Sequence, residues 1–298
     1  MCIRDSFLSA LLITKTLGLQ AQGEYSLLKS WTDAGIVIFL YGLPQSFLDI
    51  SFKKQQSELS LYKVANLYFT YLIIVGVGIG LLGYSYGQPF LIPLSIPFFV
   101  YHGLIRSLLL RTAGEVTYAL ITVVPAISLC ILIYLDFYHH NFSLYIFLSA
   151  LLSAIAAWRL ALIQGWQGDH EISFKAIAMD SMSFHSFLWN ILPAMQSAAF
   201  LTLAAVMVSS KSDVGELSLV LLMLQAVAMA ASFAAPPLYR FFDPDNFNWK
   251  WVSEKKKYII PFFMGSTLAL ITTSSLMPII LKNIFNVYSE NLTYACQI

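Results

Sequence analysis

The stretch GEYSLL at residues 23–28 returns as GELSLV at residues 215–220, 192 positions further along the chain. The same shift carries more than six residues. Gly23 falls on Gly215, Glu24 on Glu216, Ser26 on Ser218, Leu27 on Leu219 and Pro44 on Pro236. The apolar run 64–84 falls on 256–276, close to the apolar run 258–281. The run 184–209 maps back to about residue 17, where the N-terminal apolar run ends. Each copy reads as an apolar helix, a short turn holding Gly-Glu, and a second helix with proline near its far end. Chance likeness between apolar segments is the competing account, and the shared proline and matching run positions argue against it.

Composition says where such a chain resides. Of its 298 residues, 58% are hydrophobic and only 11% charged, with a mean hydropathy of +0.71. A soluble domain carries roughly 25% charged residues and covers its surface with them. This chain has too few, so it reads as an integral membrane protein. A net charge of +1 gives no reason to expect a nucleic-acid partner. Cys2, Cys130 and Cys296 have neither metal-site nor CxxC spacing and read as unpaired thiols.

The runs 64–84, 116–135, 184–209, 217–239 and 258–281 contain no Asp, Glu, Lys or Arg. About 20 apolar residues cross roughly 30 Å of hydrocarbon as a helix. Three further spans, about 30–52, 90–110 and 143–164, carry charge at their edges, and with the run 7–17 the total expected is nine helices. The backbone must satisfy itself in lipid, and continuous apolar runs do not alternate as barrel strands do. Alternate connections hold twelve Lys or Arg, including Lys53, Lys54 and Lys255 to Lys257, against Lys211 alone on the others. The basic connections are therefore expected on the cytoplasmic side.

Six spans separate the two Gly-Glu copies, so both halves share one orientation, as a parallel repeat about an axis along the membrane normal. Two facing lobes of this kind enclose a cavity that can open to either side. The expected division is an N-terminal lobe over 1–164, a cytoplasmic linker over 165–183 and a partial C-terminal lobe over 184–298. The first apolar run is short beside its partner, and MCIRDS resembles translated sequencing adapter. The chain is accordingly expected to be an internal fragment of a twelve- to fourteen-helix protein.

The stretch KTLGLQAQGEYSLL, with Lys15, Leu17, Gly18, Gly23 and Tyr25, resembles the R-x-L-G…G-x-Y signature of polysaccharide-biosynthesis flippases. These belong to the multidrug/oligosaccharidyl-lipid/polysaccharide exporter superfamily. Gly42, Leu43 and Pro44 resemble its Gly-Leu pair in the second helix. Arg106, Arg111 and Gly114 resemble its R-A-x-G-R turn, and Pro236 and Pro237 its proline closing the eighth helix. Lys15 departs from the usual Arg, keeping charge but losing the bidentate fork. The resemblance implies two parallel six-helix, MATE-like lobes in a bacterial or archaeal inner membrane. It implies a transporter rather than an enzyme, moving a polyprenyl-pyrophosphate-linked glycan outward by alternating access. It implies no cofactor beyond a coupling ion, H⁺ or Na⁺. The transporter would be monomeric, among membrane lipids, with a polymerase or glycosyltransferases as associates. A drug/cation antiporter of the same superfamily should carry acidic residues deep in its helices. A membrane-embedded glycan polymerase or glycosyltransferase should carry a large outer loop.

A pyrophosphate-sugar calls for positive charge and hydrogen-bond donors in a wet cavity. Lys15, Arg106 and Arg159 are the basic candidates, although all three lie near span ends, where long side chains snorkel to the interface. A charge held at mid-membrane costs roughly 2.5–3.5 kcal/mol and is usually functional. His102 stands one turn before Arg106 on the same face, where a coupling proton or simple packing would account for it. Gln45, Asn190 and Gln196, with Asn66 and Gln225, are candidates for sugar hydroxyls or for bonds between helices. Asp33 and Asp49 flank the second span, where an ion site or, as expected, a place at a water interface would account for them. GIGLLG at 78–83 matches a dinucleotide-binding spacing but lies inside an uncharged apolar run with no strand before it. His139-His140 lacks further ligands, and Trp249 and Trp251 beside Lys255 to Lys257 read as an interfacial anchor.

Overall fold

The computed structural model describes residues 3–53, 58–113, 115–135, 141–166, 177, 181–207, 210–222 and 264. Every regular element among them is an α-helix: α1 (Ile3–Leu40), α2 (Leu43–Lys53), α3 (Glu58–Ser85), α4 (Leu91–Thr112), α5 (Glu115–Leu135), α6 (Phe142–Ile163) and α7 (Ser181–Met207). A further helix covers 211–222. The stretches Glu58–Ser85, Leu91–Leu110, Val116–Leu135, Phe142–Ile163 and Ser183–Met207 are long and apolar enough to cross a bilayer, so the described residues are those of a helical, multi-pass membrane protein. The expected spans 64–84, 90–110, 116–135, 143–164 and 184–209 correspond to these five. The span 258–281, most of 217–239 and most of the 165–183 linker lie outside the described residues.

The N-terminal region differs from its expected form. Gly-Glu is not a turn. Gly23 and Glu24 lie inside α1, and the chain bends five residues earlier, at Gly18, with φ 87° and ψ 178°. Only glycine adopts that backbone cheaply. The helix resumes at Leu19 and runs unbroken to Leu40. The expected second span, 30–52, is broken as well. Tyr41 and Gly42 both have positive φ, at 46° and 70°, and α2 starts afresh at Leu43. Pro44 thus sits in a first turn, where its missing N–H costs nothing, instead of kinking a helix. Tyr25 reaches back across the Gly18 bend to Ser9, hydroxyl to hydroxyl at 2.9 Å, and packs edge-on against Phe142. The G…G-x-Y pattern is therefore a bend, a close crossing and a clasp.

The core gathers around α4. Leu104, Ile105, Leu108 and Leu109 are fully buried there. α6 packs on both α4 and α5, and carries Ser149, Ser153, Ala157 and Ala161 as a buried row of small side chains four residues apart, with Ser149 against α5. Small residues let two backbones approach closely when lipid supplies no hydrophobic drive. Gly76 of α3 likewise lets that helix lie against the Pro93 carbonyl oxygen and Pro97 of α4. The outward faces are apolar: Leu67, Ile74 and Leu82 on α3, and Leu120, Ile127 and Ile131 on α5, are all exposed. Hydrocarbon suits such a surface, and water does not.

Proline in a helix frees the carbonyl four residues earlier. Pro125 of α5 frees Ile121, and His102 Nε2 donates to that oxygen across 3.0 Å. The Pro125 carbonyl is satisfied too, with Ser149 Oγ at 2.9 Å and Ser128 Oγ at 3.1 Å. α4, α5 and α6 are fastened near one point, by the His102 bond that the proline makes necessary and by the serine bonds to its own carbonyl.

Candidate functional site

The six residues singled out for binding are scattered. Lys15 on α1, Gln45 on α2, and Asn190 and Gln196 on α7 are exposed, and Arg106 on α4 is half-buried. His102 is buried and committed to the Ile121 carbonyl. Asn190 Nδ2 donates within its own helix, to the Ser186 carbonyl at 2.6 Å. Among the described residues, no hydrogen bond or ion pair joins any two of the six. Of the other candidates, Asn66 accepts from the Tyr101 hydroxyl at 2.8 Å, a tie between α3 and α4. Arg159 is exposed, with its guanidinium 5.3 Å from the ring of its neighbour Trp158. Gln225 lies outside the described residues.

The buried polar residues collect elsewhere. Because α1 is helical from Leu19 to Leu40, Gln22, Ser26, Lys29 and Asp33 fall on one face, at spacings of four, three and four. Gln22 is fully buried, and Ser26 and Lys29 nearly so. Lys29 Nζ donates to both carboxylate oxygens of Asp33, at 2.5 and 2.6 Å. The pair stands ten to fourteen residues into this helix, roughly 15–21 Å along it at 1.5 Å per residue. Asp33 was expected at a water interface, on the assumption that its helix began near residue 30. Along the chain it lies in the helix interior, with its side chain one-third exposed.

The opposite face of α1 is apolar. Trp31, Phe39, Leu72, Ile96, Pro97 and Met195 line a cavity of about 280 Å³ between α1, α3, α4 and α7. At 100° per residue, positions 31, 35 and 38 point away from 29 and 33, so the ion pair does not face this cavity. Trp31 Nε1 ties the cavity's edge to α7 through Thr202 Oγ1 at 2.9 Å.

The polar face of α1 begins where the two repeat copies touch. The helix 211–222 follows non-helical Ser210, whose hydroxyl accepts from Ser212 N at 3.2 Å. Ser210 is the 192-residue counterpart of Gly18, so both copies break their helix at the same register. The helices then cross glycine on glycine. A methyl group on Gly23 would collide with the Lys211 carbonyl and stand 3.1 Å from Gly215 N. One on Gly215 would collide with the Leu19 carbonyl and stand 3.2 Å from Gly23 N. Lys211 and Leu19 are counterparts too, so the contact is reciprocal. Gln22 Nε2 donates to Ser26 at 2.7 Å and to its counterpart Ser218 at 3.2 Å. Lys211 pairs with Glu24 at the exposed rim.

Of the four stripe residues, sequence reasoning named Asp33 alone, as a candidate ion site, and did not join it to Lys29. The signal was present: Lys29 and Asp33 stand at i and i+4, a spacing that pairs opposite charges on a helix. Reading Gly-Glu as a turn concealed it. No protein-family model matches the chain, and no curated protein or solved structure matches it either.

Proposed function

We propose that the chain is a transporter that moves a polyprenyl-pyrophosphate-linked glycan precursor across a bacterial or archaeal inner membrane by alternating access. The observation carrying this reading is the polar stripe of buried Gln22, Ser26 and Lys29 with half-buried Asp33, beginning where the two sequence copies touch. Burying charge and amide in a chain with 11% charged residues is costly unless a hydrophilic cargo uses them. Substrate sites in repeat-built transporters lie at such junctions, near mid-membrane. The resemblance of residues 15–28 to the flippase signature supplies the cargo class. An ion gradient as energy source belongs to the same proposal.

A second reading, a drug/cation antiporter, has an observation in its favour. Asp33 is an acidic group deep in a helix, the feature such an antiporter needs. Its carboxylate is already neutralised by Lys29, which leaves less to offer a cation. The deciding experiment expresses the gene in a host lacking its own glycan flippase. Restored surface glycan, with loss of the precursor accumulated on the inner leaflet, supports the flippase. Drug resistance without surface glycan supports the antiporter.

A further inference from the structure

We propose that the Gly23–Gly215 crossing is a parting seam: the place where the two repeat copies separate to open their junction on the side away from the basic loops. This rests on the transporter reading above and deepens it. Around a two-fold axis, a residue near the axis meets its own counterpart, and each contact i-to-j is repeated as j-to-i. Gly23 against Lys211 and Gly215, and Gly215 against Leu19 and Gly23, satisfy that condition. The axis relating the copies therefore passes between these two glycines.

The chemistry of the crossing suits separation. Glycine meets glycine with backbone alone. The described apolar side chains joining the two helices there form one small cluster, Leu219 and Leu222 against Ala10 and Leu19, and parting would expose that cluster and no larger core. Among the described residues, the polar ties are the Gln22–Ser218 bond at 3.2 Å and the rim pair Glu24–Lys211. Gln22 Oε1 is buried with no hydrogen-bond partner among the described residues. Such an oxygen opposes the closed state, because parting would give it water. The same parting would bring water to Ser26 and towards Lys29 and Asp33 below. The seam thus covers one end of the stripe.

The test uses the full chain, with Cys2 and Cys296 changed to serine and Cys130 to alanine. In this background Ser218→Cys places a thiol of nearly the same size at a position that is now 2% exposed. A membrane-impermeant maleimide is applied from the side away from the basic loops. Slow labelling is expected, rising several-fold when Glu24→Lys sets two ammonium groups against each other at the rim. A separate protein carries Glu24→Cys with Lys211→Cys, joined by a reversible bis-methanethiosulfonate cross-linker. Joining should stop transport, and a reductant should restore it in the same molecules, so misfolding cannot mimic the result. The seam is overturned if the Ser218→Cys thiol stays unlabelled in both backgrounds, or if the joined protein transports as fast as the reduced one. Labelling is blind to cargo. A seam that opens in a protein moving no glycan keeps this proposal and removes the flippase reading. Glycan movement with a seam that never opens does the reverse.

Discussion

Two junctions in this molecule are built on opposite principles. Where α4, α5 and α6 meet at Pro125, the Ile121 carbonyl that the proline frees is answered by His102, and the Pro125 carbonyl also accepts from Ser128 and Ser149. Where α1 meets the helix 211–222, two glycines touch, one amide oxygen has no partner among the described residues, and the charged tie is at the exposed rim. Both are close helix contacts, and both depend on small residues. They differ in whether closure satisfies the polar groups it buries. A fully satisfied junction resists opening because each broken bond leaves an orphan in a dry interior. A part-satisfied one loses little on opening. Within one bundle the first fixes helices and the second leaves them separable.

The largest expected effect lies on the stripe between these junctions. Removing one partner of this half-buried ion pair leaves the other charge poorly compensated, at roughly 1–3 kcal/mol, between the values for buried and exposed pairs. Lys29→Leu and Asp33→Leu should each destabilise the protein by about that much in reversible unfolding. The double variant should recover most of the loss, because a neutral apolar pair of similar volume carries no desolvation penalty. Transport should not recover with it. If either single variant costs no more than the double, Lys29 and Asp33 are solvated at mid-helix and the dry stripe is wrong.

The Pro125 junction offers a sharper test. His102→Ala should cost about 1–3 kcal/mol, since it orphans the Ile121 carbonyl in a place without water. In a Pro125→Ala background residue 125 regains its N–H and can bond Ile121 itself. His102→Ala should then cost much less, and the difference is a coupling energy between positions 102 and 125. Equal costs in both backgrounds would mean that His102 contributes packing volume and its hydrogen bond little. The same cycle would return the histidine to the list of groups free to serve a coupling proton.

The helices α3 to α7 were legible because each is a continuous apolar run with little or no charge, and hydrocarbon leaves the backbone no other choice. The path of α1 was not. Its polar stripe lowers the apolar signal, and Gly-Glu has the composition of a turn, so the sequence pointed to a span beginning near residue 30. The chain stays helical through Gly23 because the glycine faces another helix at backbone distance, a fact about residue 215 that no local window contains. The same limit applies to Asn66, His102 and Asn190. Their residue types suit a cavity as well as a helix contact, and only the partners, Tyr101, Ile121 and Ser186, separate the two. The repeat was legible at long range, yet its meaning was read as topology alone. That the two copies would meet each other at the very residues that betray the repeat was not drawn from it.

The smallest expected effect is at the rim. The side chains of Lys211 and Glu24 are 58% and 41% exposed. Water screens such a pair, and its worth is roughly 0.2–1 kcal/mol, less at high salt. Glu24→Gln should therefore shift stability by no more than that, and added salt should shrink the shift further. Its effect on opening should be proportionately larger. The seam is held by two weak polar ties and one small apolar cluster, so removing one tie moves a sizeable part of the balance between closed and open. Unfolding and thiol labelling at position 218 thus ought to disagree about this residue, the first hardly changed and the second faster. At Pro125 they should agree, because there the bonds that hold the fold also hold the junction. A Glu24→Gln protein that loses several kcal/mol, with labelling unchanged, would place the rim pair in the dry interior and make both junctions of one kind.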